Sequence, residues 1–131
     1  MQGETNLSKI LKSMNPELNP GDYVFCTTKN PDIINPEYII SMIREKEGFT
    51  VVVEKNIADQ LKLSYSFVAK WISLTVHSSL EAVGLTAAFA NALAKENISC
   101  NVIAGYYHDH IFLRLEEAGR AMEILKKLGD P

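Results

Sequence analysis

From Trp71 to His77 the chain alternates. Ile72, Leu74 and Val76 are apolar while Ser73, Thr75 and His77 are polar, a period of two that sets the apolar side chains on one face of a strand. The period changes at Gly84. Leu85, Ala88, Phe89, Ala92 and Leu93 follow at the spacing of an amphipathic helix with a full apolar stripe. Two further strands are predicted in SCNVIAGY and HIFLRL, separated by the turn YHD, and Ala118, Ala121, Met122, Leu125 and Leu128 share one face of a closing helix. The second half therefore reads strand, helix, strand, strand, helix.

The first half is more broken. Leu7, Ile10, Leu11 and Met14 sit at helical spacing behind a candidate cap at Thr5, and Pro16 and the Pro20-Gly21 pair read as terminators. Tyr23 to Thr28 is a strand-like run of aromatic, β-branched and Cys residues. Asn35-Pro36-Glu37 combines an N-cap, a proline suited to the first helical position and an acid that complements the helix dipole. It predicts a helix from Pro36 to about Lys46 that buries Ile39, Ile40 and Ile43. Gly48 ends that helix, Phe49 to Glu54 forms a strand, and Asn56 caps a short helix carrying Ile57, Ala58 and Leu61. The βαββα order with a tight hairpin is most of a split-βαβ, ferredoxin-like α+β unit, an antiparallel sheet with both helices on one face. Its fourth strand is missing, and an open sheet edge must be covered. The expected division is residues 1–66, an N-terminal helix plus a partial unit, and residues 67–131. The first half either lends a strand to the second or forms a truncated copy of it, which makes a tandem or strand-exchanged pair.

Composition narrows the function. The 131 residues carry 13 Lys+Arg against 16 Asp+Glu, a net charge of -3 spread over both halves, so the basic excess that drives binding to nucleic acid or anionic membranes is absent. No apolar run approaches the roughly 20 residues of a membrane-spanning helix, and MQGETNLSK lacks a signal-peptide layout. A cytoplasmic protein is expected. Cys26 and Cys100 stand in apolar, strand-like surroundings and read as reduced core residues.

Few residues point to chemistry. His108 and His110 lie two apart, which on a strand puts them on one face, and His77 is a third imidazole; no further ligand has recognised metal spacing, so histidines packed at a hairpin end are the expectation and no metal is assigned. HSSLE contains Ser, His and an acid but no nucleophile elbow and no separate acid-base set, so a hydrolase is not expected. Trp71 reads as a core or interface residue, and Tyr106 and Tyr107 as sheet packing rather than pocket lining.

The stretch LTVHSSLEAVGLTAAFANALAKENISCNVIAGYYHDHIF resembles the ACT domain, in particular small bacterial ACT-domain proteins, with Gly84 as the glycine before the first helix and Asn97-Ile98-Ser99 leading into the second strand. It is similar also to the ACT units of cytosolic arginine-sensing proteins and of aspartate kinases. The resemblance implies a non-catalytic regulatory module that binds a small ligand, an amino acid above all, at an interface between ACT units, with no cofactor and as a homo-oligomer. A zwitterion needs donors for its carboxylate and an acceptor for its ammonium. Val83, Gly84, Leu85 and Thr86, at a helix start, would supply backbone N–H groups for the first. Asp109, in the hairpin, is the acidic partner for the second, Ser78 and Ser79 add hydroxyls, and His77 stands at the mouth of the loop. Gly84 and Asp109 are also ordinary turn formers, and the alternative function is a structural, oligomerising protein without a metabolite.

Overall fold

A computed structural model of the chain describes residues 7–75 and 84–129. The elements run α1 (Leu7–Ser13), β1 (Asn15–Thr28), β2 (Ser41–Arg44), β3 (Phe49–Glu54), α2 (Lys55–Gln60), β4 (Ser64–Thr75), α3 (Leu85–Lys95), β5 (Asn101–Ala104), β6 (His108–Arg114) and α4 (Ala118–Gly129). One-turn 3-10 helices stand at Pro31–Ile33, Pro36–Tyr38 and Leu115–Glu117. The strand order is β2-β3-β1-β4-β6-β5. The chain divides into two compact units, Met1–Pro20 with Lys70–Pro131, and Gly21–Ala69. The long strands β1 and β4 each contribute one end to either unit.

In the first unit, alternation on β4 and β6 buries Ile72, Leu74, Ile111 and Leu113 under the apolar stripes of α3 (Leu85, Phe89, Leu93) and α4 (Ala118, Ala121, Leu125), with Ile10 and Met14 closing one side. Burying each large side chain stabilises by roughly 1.5–3 kcal/mol. The two helices stand as the pattern predicts, and so does the alternating strand as far as Thr75. The missing fourth strand is the start of β1, which lies next to β4 in the strand order. Asn19 fastens it there: its amide Nδ2 donates to the Trp71 carbonyl at 3.2 Å and to Ser73 Oγ at 3.0 Å. The first helix ends at Ser13, ahead of Pro16 as expected, but Pro16 and Pro20-Gly21 lie inside β1 rather than in a loop. Pairing of β1 with β3 begins only at Tyr23, so both prolines sit in an outer strand, where a missing N–H is tolerated.

In the second unit, Val24 and Cys26 of β1 pack with Val51 and Val53 of β3, Ile34 and Ala58. The expected Pro36–Lys46 helix is not formed. Its cap is real, since Asn35 Oδ1 accepts the Glu37 N–H at 3.0 Å, but the turn ends at Tyr38 and the chain enters β2. The Ile40 N–H donates to the Val52 carbonyl at 2.8 Å, and Ser41 to Arg44 pair antiparallel with Val52 to Phe49. β-branched Ile39, Ile40 and Ile43 favour this extended choice. Ile43 is consequently half exposed rather than buried. Residue Glu54, not Asn56, stands at the N-cap of α2.

Candidate ligand site

The start of α3 is built on one backbone conformation. Gly84 has φ +92°, in the left-handed region that disfavours side chains. Its carbonyl accepts the Ala88 N–H at 2.8 Å. The amides of Leu85 and Thr86 thus precede the first helical hydrogen bond, where helix N-termini receive anions. Leu85 anchors this end in the core while Thr86 is exposed.

Asp109 is not in the hairpin turn, as the pattern suggested. It is the second residue of β6, opposite Ala104 of β5, and the turn is Gly105 to Tyr107. Strand alternation gives it the face of Ile111 and Leu113, which is the face covered by helices. The short connection 96–100 carries the chain from the end of α3 into the start of β5, and Ala104 pairs with Asp109 at the other end of β5. Gly84, Leu85 and Thr86 stand at the start of α3, and Asp109 stands on the sheet face that α3 and α4 cover. The Asp109 carboxylate is half buried and has no hydrogen-bond or ion-pair partner among the described residues, and burial pushes its pKa above the ordinary carboxylate value. His77, Ser78, Ser79 and Val83 lie outside the described residues, as do Thr5 and Val76.

The other face of β6 carries His108 and His110. Trp71 Nε1 donates to His110 Nδ1 at 3.0 Å, and Ser73 Oγ lies 3.3 Å from the same nitrogen. An indole N–H only donates, so Nδ1 presents its lone pair and the neutral ring carries its proton on Nε2. His110 then has no lone pair at Nε2 for a cation. Burial, and next the charge of His108, hold the His110 pKa below the ordinary imidazole value. Nδ1 of His108 is buried without a hydrogen-bond partner among the described residues. The described residues include no group of three His, Cys, Asp or Glu placed to hold a metal ion. Tyr106 and Tyr107, expected to pack on the sheet, are each 71% exposed at the hairpin tip. Trp71 stacks on Phe112 with ring centroids 6.0 Å apart; nothing local in the sequence signals its bond to a histidine 39 positions away.

The second unit has an open cleft of about 430 Å³ lined by Phe25, Cys26, Thr27, Thr50, Ser64, Tyr65 and Ser66. Cys26 is free and buried, and burial, with Asp59 adding to it, pushes its thiol up to about 11, which makes it a poor nucleophile. Nearby, Lys55 donates to Asp59 at 2.8 Å and the Tyr65 hydroxyl donates to Asp59 at 2.6 Å, and these two bonds hold the Asp59 carboxyl below its ordinary value.

No described helix is long and apolar enough to cross a membrane. Comparison with curated proteins gives no match. Among solved structures, a protein of unknown function from Vibrio cholerae, described as a possible transport protein, is 51% identical over 95% of this chain and 96% of its own, with a TM-score of 0.85. The fold also matches aspartate kinase from Clostridium acetobutylicum (13% identity, 97% of this chain and 36% of that one, TM-score 0.63). A third match is the regulatory subunit of aspartate kinase from Thermus thermophilus (11% identity, 86% and 95%, TM-score 0.59). Two ACT-domain profiles match consecutively, over residues 2–70 and 66–127. The chain belongs to the ACT-domain family and is a tandem ACT-domain protein with the ferredoxin-like fold of that family.

Proposed function

We propose that this protein is a non-catalytic regulatory module that binds a free amino acid at the end of its first unit, where α3 begins. The observation that carries this reading is the Asp109 carboxylate: half buried, unpaired among the described residues, and on the sheet face that α3 and α4 cover. An isolated buried carboxylate is costly unless a cation meets it. An α-ammonium supplies that cation while the α-carboxylate takes the helix amides and the positive end of the dipole. His77, Ser78, Ser79 and Val83 complete the pocket in this reading. The fold shared with a regulatory subunit of aspartate kinase supports a regulatory role. The ligand acts by population shift, favouring the arrangement of chains that binds it better, in a cytoplasmic homo-oligomer. Self-association is favoured by the outer strand β2, whose Met42 and Ile43 are 49% and 50% exposed. A thermal-shift panel of the common amino acids tests the reading. A ligand at about a thousand times its Kd adds about 4 kcal/mol of stability; a flat response across the panel rejects it.

A further inference from the structure

We propose that His110 is an acid-sensitive latch on the outer strand of the first unit: the neutral imidazole holds Trp71 and Ser73 of β4, and Ser73 in turn holds Asn19 of β1. The geometry has one polarity. Asn19 Nδ2 donates to Ser73 Oγ at 3.0 Å, so Ser73 is left with its own proton to offer, and Ser73 and the Trp71 indole both aim donors at the single lone pair of His110 Nδ1. Protonating His110 puts a hydrogen on that nitrogen, head-on to an indole N–H that cannot accept. The Trp71 bond breaks, and the Ser73 oxygen turns to accept from the imidazolium in place of Asn19, so β1 loses one of its bonds to β4. The latch sits where it matters: Asn19 belongs to the residues of β1 that close the sheet edge of this unit.

The surroundings oppose a charge on the ring. His108 stands edge-on along the same strand face, with centroids 6.2 Å apart, and Trp71 packs at 5.6 Å. Ile103 is opposite in β5, and a Cβ on Gly105 would lie 3.2 Å from Nε2, so the turn closes tightly over the ring. Asp109 is one position away but shares the opposite face with Ile111. Among the described residues, then, the titratable neighbours are His108 on the same face and Asp109 behind the strand. A histidine whose folded pKa lies below its ordinary value keeps its full contribution above about pH 6.5 and loses it as the pH falls through the folded value.

Trp71 is the chain's one tryptophan, so its fluorescence reads the latch directly. The expected result is a single reversible step with a midpoint below about pH 6.5 at constant far-ultraviolet circular dichroism. Amide exchange over residues 15–20, corrected for intrinsic rates, should become about fivefold faster on the acid side, as the loss of one hydrogen bond implies. His110→Asn, which keeps an acceptor and cannot titrate, removes the step; His108→Gln keeps it and moves the midpoint upward. Imidazole nitrogen shifts of the unaltered protein at neutral pH should report His110 protonated on Nε2, a reading independent of any variant's folding. A proton on Nδ1, a step that survives in His110→Asn, or no step in the unaltered protein overturns the latch.

Discussion

Replacing Gly84 by Ala tests the backbone conformation on which the proposed ligand site depends. At φ +92° an L-residue carries a strain of about 1–2 kcal/mol. Against this, Ala narrows the unfolded ensemble and returns about 0.4–1 kcal/mol. Crowding adds little, because a Cβ at Gly84 would meet Leu7 Cδ2 at 3.4 Å, ordinary van der Waals contact. The net loss is about 1 kcal/mol, which lowers the thermal midpoint by roughly 3–5 °C in a chain of this size. Gly84→Asn should lose less, since Asn tolerates the left-handed region. Urea unfolding monitored by circular dichroism measures all three proteins. An Ala variant as stable as the original would refute the left-handed turn, and a loss above about 3 kcal/mol would place crowding where the geometry puts open contact.

Further outcomes follow from the same packing and electrostatics. Phe89→Ala, in the centre of the first unit's core, should cost about 3–5 kcal/mol, whereas Tyr106→Ala at the exposed hairpin tip should stay within about 0.5 kcal/mol; equal losses in denaturant melts would contradict the burial of α3. Asp109 has its folded pKa raised by burial, so its ionisation weakens the ligand-free fold above that pKa and the penalty lifts as the pH falls through it. Asp109→Asn should therefore raise the thermal midpoint at neutral pH and flatten its gain toward acid; a lower neutral midpoint argues against an unpaired carboxylate. Cys26, with its thiol at about 11 and its side chain buried, should react with a disulfide reagent at pH 8 only on unfolding. Fast labelling of Cys26 in the native protein, located by mass spectrometry, would show that β1 is more open than the packing implies.

How far the sequence speaks depends on whether burial is one-sided. The stripes of α3 and α4 and the alternation of β4 are legible because each presents one face to a core, and Phe49 to Glu54 because its β-branched run stands between turns. The prolines of β1 mark the end of α1 correctly but hide the strand they sit in, because that outer strand is set by partners more than fifty residues away, Asn19 on Trp71 and Ser73. The Asn35 cap is read correctly and still starts no long helix, because Ile40 finds the Val52 carbonyl and a ladder replaces the next turn. For the site, Gly84 is visible as a lone glycine ahead of an apolar stripe. Asp109 is visible only as a polar residue between histidines; that it shares a face with Ile111 depends on the turn ending two residues earlier than YHD suggests. The tautomer of His110 comes from a contact between strands and has no local signature.

The most direct test of ligand binding in the first unit is a backbone amide NMR titration with the amino acid that stabilises the protein best. Saturable shifts are expected to concentrate at Gly84, Leu85, Thr86 and Asp109, with affinity falling at least tenfold in Asp109→Asn, the loss of a charged hydrogen bond. Shifts confined to the cleft of Phe25, Thr27 and Ser66, or an affinity unchanged in Asp109→Asn, would rule out a site at Asp109.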